Sequence, residues 1–360
     1  MNFKQLSTIL NKTYLLTTLL TTLLIAASNS YWLSNVASAD SPPPAALSVH
    51  QQVSGFYQQL TNAARYFQQS SLELCQSPST AKFTVVQNHW RQLMNSWMIA
   101  EVINFGPVQQ GNMAWRFQFW PDKKNLIKRK VEGFLAAHSQ PSTIATETVK
   151  TSSVLVQGLS AAEYLLFDPQ LKTTQQVINN PQRCQMLASI SANLFANAQQ
   201  LEKSWQTETA TNKPTVEESI SQLLNGMATL IERSHKKLVM PLGKQKANPY
   251  FSESWRSQHS IENIKHNLIS IKQLYQVQLK PLLLEKKQGN LLAEKIDQQF
   301  NFTFKLLGQF KQSLFVLLKH QQLEQTTQLA QSLKQLKQLF SQQLPDKLGV
   351  IISFNANDGD

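Results

Sequence analysis

Hydrophobic positions along this chain recur at intervals of three and four residues, the signature of helices buried on one side. Val49, Val53, Phe56, Leu60, Ala64 and Phe67 form one stripe. Phe83 to Ile103 forms a second, with Trp90, Met94, Trp97 and Glu101 on one side. A third helix runs from Asp122 through Ile127 and Val131 to Leu135, with Asp122 as its cap after Trp120-Pro121. Thr143 to Phe167 reads as one helix in which Leu155, Leu159, Ala162 and Leu166 share a face, closed by Asp168-Pro169. Asn180-Pro181 opens the next, through Leu187, Ile190, Leu194 and Leu201 to Trp205.

The second half repeats the style. Thr215 and Glu218 match a capping box ahead of Ile220, Leu223, Met227 and Leu230. Ile261, Ile264, Leu268, Ile271 and Leu274 mark a further helix. Leu291–Leu318 and Leu323–Leu344 each read as a long apolar one. No alternating strand run of any length precedes Val350. The pattern predicts an all-α fold of two up-and-down bundles of about four helices each, residues 49–205 and 214–360. The polar, aperiodic stretch Gln206–Lys213 sets the boundary between them.

The first 48 residues do not fit this scheme. Lys4 and Lys12 precede an apolar run, Tyr14–Ala27, too short for a membrane span, and Ala37-Ser38-Ala39 fits a processing site. Residues 1–39 therefore read as a secretory signal, cleaved after Ala39 or retained as an anchor, with no cysteine nearby to carry lipid. Residues 40–48 read as a Pro-rich leader. Removing the signal takes two lysines from a formal charge of +12, leaving +10. A basic exported protein can lean on anionic envelope surfaces, but no arginine-rich, aromatic-interleaved groove argues for nucleic acid. Cys75 and Cys184 are the only cysteines, and in an oxidising compartment they are expected to pair.

Glu163 changes the picture most. It is the only charged residue between Lys150 and Asp168, in a segment read as buried. A carboxylate there needs a cation, several hydrogen bonds or its own proton. Ser160 lies about one turn earlier on the same face. Arg116 sits among aromatics, where a guanidinium stacks or pairs with a carboxylate. Arg256 lies next to a turn, with Asp122, Glu163, Asp358 or Asp360 as possible partners, and beside Glu163 it would keep that carboxylate ionised. His-Glu-x-x-His, the nucleophile elbow and the phosphate loop are all absent, and the seven histidines are scattered.

Four stretches together resemble the imelysin family of bacterial envelope proteins, which includes iron-regulated protein A. They are Phe105-Gly106-Pro107 with Arg116–Asp122, then Gly158–Phe167, then Met240–Gly243 with Arg256–Ser260, and last Asp358-Gly359-Asp360. The resemblance implies bundles related by duplication with a ligand pocket at their interface. It implies pocket or signature roles for Gly158, Ser160, Glu163, Arg116, Trp120, Asp122, Arg256, Ser257 and Ser260. It also implies a periplasmic or cell-envelope location and a link to iron or other metal uptake, with other iron-uptake envelope proteins as partners. The family signature Gly-x-His-x-x-Glu falls on Gly158, Ser160 and Glu163, so its His is replaced by Ser160. A hydroxyl is a poor ligand beside an imidazole, so a metal site here would lean on oxygens, Glu163 first, with Ser160 and acidic side chains brought in by the fold, and would suit a hard cation such as ferric iron. Three readings follow: a non-enzymatic binding protein, a metal-dependent peptidase, and a scaffold that binds other proteins. For Glu163 itself the roles are an inter-helix clamp, a pocket-lining group or a metal ligand.

Overall fold

The structure is a computed structural model that describes residues 49–138, 144–171, 180–211 and 215–351. The signal, the leader and Asp358-Gly359-Asp360 lie outside the described residues. Among the described residues every regular element is helical, as the spacing predicts. None of these helices is long and apolar enough to cross a membrane.

Helix α1 (Val49–Gln76) buries Val53, Phe56, Leu60, Ala64 and Phe67, the stripe read from the sequence. Each Val, Leu or Phe among them, fully buried, contributes about 1.5–3 kcal/mol. Ser79 caps α2 (Thr80–Ala100) by accepting the Lys82 N–H. Both helices pack against each other, and α1 also packs along α7 (Pro181–Thr211). Asn180 opens α7 by accepting the N–H groups of Gln182 and Arg183. The expected disulfide joins the C-terminal end of α1 to the first turn of α7, with Cys75 and Cys184 Cα atoms 5.5 Å apart. Among the described residues, four short α-helices lie between α2 and α7: α3 (Met113–Phe117), α4 (Leu126–Ala137), α5 (Thr146–Lys150) and α6 (Leu159–Phe167).

The expected capping box opens α8 (Val216–Leu242), with Thr215 and Glu218 bonded reciprocally. Helix α8 packs on α9 (Ser260–Leu274) and on α13 (Glu324–Gln338). Helices α10 (Lys280–Leu284), α11 (Gly289–Gly308), α12 (Leu314–Lys319) and α14 (Leu344–Leu348) complete the second half. Helix α9 lies against α2, so the halves share buried surface, and the described residues form one compact unit.

Two long helices of this half end alike. Helix α9 and its 15 residues run into a wide turn at Tyr275–Leu279, then α10 with Pro281. Helix α13, also 15 residues, runs into a wide turn at Leu339–Gln343, then α14 with Pro345. Proline lacks an N–H and its ring crowds the carbonyl four residues back, and a π-type turn relieves both. Tyr275 and Phe340, one from each wide turn, meet edge to face at 5.8 Å.

Three boundaries differ from the sequence reading. Helix α7 continues through the polar stretch to Thr211, since no Gly or Pro interrupts it before Pro214. The Leu291–Leu318 segment is two helices, α11 and α12, the second restarted by a Ser313 cap on Val316. Thr143–Phe167 is not one helix. After α5 the chain turns through Ser152, with the Gln157 amide bonded to the Lys150 and Ser152 carbonyls, and α6 begins only after Gly158.

Candidate functional site

Gly158 is extended, and a Cβ placed on it would lie 2.5 Å from the Phe117 carbonyl oxygen and 2.7 Å from that of Arg116. The backbone at the end of α3 thus presses directly on the start of α6, which is why the longer helix is broken here. Gly158→Ala must push two backbone segments apart and is expected to cost about 1–3 kcal/mol. Urea unfolding measures the loss, and an unchanged midpoint would contradict the contact.

Helix α6 is buried along its whole length. Helix α2 holds it from one side: the Trp90 indole donates to the Leu159 carbonyl at 3.0 Å and the Gln87 amide to that of Leu166 at 2.7 Å. Ser160 faces α3. Its hydroxyl donates to the Phe119 carbonyl at 3.0 Å and accepts the Phe119 N–H at 3.2 Å. Glu163 turns to the second half, where Oε1 accepts both the Ser257 N–H and the Ser257 hydroxyl at 2.8 Å.

Burial raises the Glu163 carboxyl above its ordinary range. The Arg256 cation and the two Ser257 hydrogen bonds offset part of that rise, and the neighbouring Glu253 carboxylate adds to it. Arg256 thus favours the ionised carboxylate, as the sequence suggested, but burial outweighs it, and the guanidinium makes its own hydrogen bonds elsewhere. Nε donates to Asp168 Oδ2 at 2.8 Å and Nη2 to Asn125 Oδ1 at 2.6 Å. The guanidinium also sits over the Trp255 ring at 4.3 Å and the Tyr164 ring at 5.4 Å.

The remaining predicted residues divide. Trp120 donates its indole N–H to the Phe251 carbonyl at 3.4 Å, a further bond between the halves. Asp122 accepts the Leu126 and Ile127 N–H groups and caps α4 as expected, although the residue just before that helix is Asn125 in a left-handed conformation. Ser260 bonds the Glu253 carbonyl. Arg116 is half-buried, and no ion pair or ring contact joins it to another described residue; its backbone, not its guanidinium, touches the site.

Sequence reasoning missed the polar cluster beside this site. Lys237, on α8, is fully buried. Its ammonium lies 3.2 Å from Glu101 and 3.1 Å from Glu253, and donates to Asn267 at 2.8 Å. Glu253 also accepts from the Gln118 and Asn263 amides, each at 2.9 Å. Burial alone would raise the Glu101 carboxyl, but the Arg233 and Lys237 cations, with the Asn267 hydrogen bond, outweigh it and hold the group below its ordinary range. A signal was present: Lys237 continues the stripe Met227, Leu230, Ser234, Pro241, all buried. His259 is another buried group, its Nε2 2.7 Å from Asn95 Oδ1; burial, with help from Arg91 and His266, pulls it down to about 3.

As a metal site, Ser160 and Glu163 are poorly equipped. The hydroxyl donates to the carbonyl and accepts from the N–H of one residue, Phe119, and Glu163 Oε1 takes two hydrogen bonds. Among the described residues no three His, Cys, Asp or Glu side chains converge as a ligand set. Two surface clefts, of about 410 and 520 Å³, are lined by residues of α8, α13 and the adjoining wide turn, and by residues of α11 and α14. Neither is lined by a residue of the predicted site.

An all-helical, disulfide-linked protein with a buried polar joint between its halves is the class this geometry defines. The family model for Imelysin matches residues 55–343, and the chain belongs to that family. No curated protein sequence matches it. Among solved structures it is similar to an imelysin-like protein from Psychrobacter arcticum, with 20% identity and a TM-score of 0.70, covering 84% of this chain and 93% of that one. It is also similar to a protein described as an iron-regulated protein A precursor from Parabacteroides distasonis, with 16% identity and a TM-score of 0.65, covering 87% and 98%.

Proposed function

We propose that this chain is an exported protein of the cell envelope that serves iron or other metal acquisition by binding rather than by catalysis, with the α6 site acting as the joint between its halves. The observation that carries the reading is the use of the signature side chains: the Ser160 hydroxyl donates to and accepts from the Phe119 backbone, and Glu163 Oε1 takes two hydrogen bonds from Ser257 across the joint. A catalytic carboxylate needs access to substrate or to a polarised water, and Glu163 is buried among protein partners. Export is supported by Lys4, Lys12, the apolar run to Ala27 and Ala37-Ser38-Ala39, and the Cys75–Cys184 bond suits an oxidising compartment. The iron link rests on the family and on the description of the Parabacteroides protein. Ligand and envelope partners would engage surfaces outside the joint.

The alternative reading, a metal-dependent peptidase, makes a different prediction. Protein purified without a tag is incubated with an unfolded protein substrate, with and without EDTA. We expect no cleavage that the chelator removes. Cleavage lost both in EDTA and in Glu163→Ala would overturn the proposal.

A further inference from the structure

The oxygen atoms around Lys237 are arranged as a cation site. Nζ, fully buried, has Glu101 Oε2 at 3.2 Å, Glu253 Oε2 at 3.1 Å, Asn267 Oδ1 at 2.8 Å and the Met98 thioether sulfur at 3.3 Å. These groups come from α2, from the segment before α9, and from α9 itself, so the ammonium ties together both halves. Each anionic group is held in place by a second partner. Glu101 Oε2 also accepts the Asn267 amide at 3.0 Å, and its other oxygen lies 3.1 Å from Arg233. Glu253 is fixed by the Gln118 and Asn263 amides.

Acceptors exceed donors here. The amide oxygens of Gln118 and Asn263 belong to the same side chains that hold Glu253, are buried, and have no hydrogen-bond partner among the described residues. Turning either amide would point its oxygen at the Glu253 carboxylate, so both orientations are fixed. A buried, preorganised group of carboxylate and amide oxygens calls for a cation, and hard divalent ions such as Mg²⁺, Mn²⁺ and Ca²⁺ take this type of donor. An ammonium is a compact point charge with three donors, and on a flexible stem it can fill the same position.

We propose that Lys237 is a tethered cation occupying an oxygen-lined site for a hard divalent metal ion, so that this protein closes its joint without metal. Removing the side chain opens the site to a free ion. The inference does not depend on what the protein acquires or on the role of Glu163.

Thermal unfolding tests it. Wild-type protein and Lys237→Ala, both without a tag and dialysed against EDTA and then metal-free buffer, are melted with increasing Mn²⁺ or Ca²⁺. The wild type should show no shift. Lys237→Ala should melt lower without metal and recover about 5 °C when the ion is about 100-fold above its dissociation constant. The recovery should saturate at one ion per chain and should vanish when Glu253→Gln is added. If Lys237→Ala does not fold in metal-free buffer, the readout becomes its refolding on addition of Mn²⁺, and the charge-neutralised pair Lys237→Met, Glu253→Gln should fold without it. A Lys237→Ala protein that gains neither stability nor folding from either ion, or that gains equally with Glu253→Gln present, overturns the proposal.

Discussion

Replacing Arg256 by alanine should lower the free energy of unfolding by about 3–5 kcal/mol, the range for breaking one side of a buried ion pair. Asp168 is 3% exposed at its side chain and would be left with only the Gln170 N–H as a hydrogen-bond partner of its carboxyl group. The Asn125 oxygen would lose its donor, and the Trp255 and Tyr164 rings their cation. Arg256→Lys should recover little, because a point charge cannot reach Asp168 and Asn125 together as the guanidinium fork does. Arg256→Met with Asp168→Asn should recover most of it, since no uncompensated charge is then left buried. Urea unfolding of the three variants measures this. A loss below about 1 kcal/mol for Arg256→Ala would mean that the pair does not hold the joint.

The second large effect lies within the first half of the chain. Cys75→Ser with Cys184→Ser should destabilise the chain by about 4 kcal/mol, because the bond spans 109 positions and long closed loops restrict the unfolded chain most. The melting temperature should fall by about 10 °C, read by calorimetry on the double variant. The helices it joins, α1 and α7, pack along each other independently, so the fold should persist at low temperature. A drop below about 2 °C would show that packing already restricts the unfolded ensemble without the bond.

Much of the fold is written in the spacing of Val53, Phe56, Leu60 and their counterparts, because a stripe of apolar side chains at helical intervals is buried whatever it packs against. Asp122 and the Thr215–Glu218 box were legible for a related reason: a cap acts within one turn. The failures arise where distant backbone decides. Nothing local shows that the Arg116 and Phe117 carbonyls press on Gly158, so α6 read as part of a longer helix. Glu163 stood out as a lone charge in an apolar run, but its partner Ser257 lies 94 positions away. Asp168 read only as a helix end, although it is the residue that engages Arg256. Lys237 lies on a buried stripe, but lysine is rarely buried without partners, and nothing local in the sequence supplies them. Those partners, Glu101, Glu253 and Asn267, come from three other segments of the chain.

On the proposed reading Glu163 is a buried link between the halves rather than a metal ligand, and burial raises its carboxyl from an ordinary 4.5 in the folded state. Between these two values the folded chain keeps a proton that the unfolded chain has released. The stability this contributes is complete below the ordinary value and is lost as pH rises through the folded one. Glu163→Gln keeps an oxygen for Ser257 and cannot ionise. The direct measurement is the unfolding free energy of wild type and Glu163→Gln from pH 4 to pH 8, with metal content determined on the same tag-free samples. The variant should match the wild type near pH 4, gain on it as pH rises, and be at least as stable at pH 7, with no metal lost. A Glu163→Gln protein that is about 2 kcal/mol or more less stable at pH 7, and that has lost a stoichiometric metal carried by the wild type, would contradict the claim.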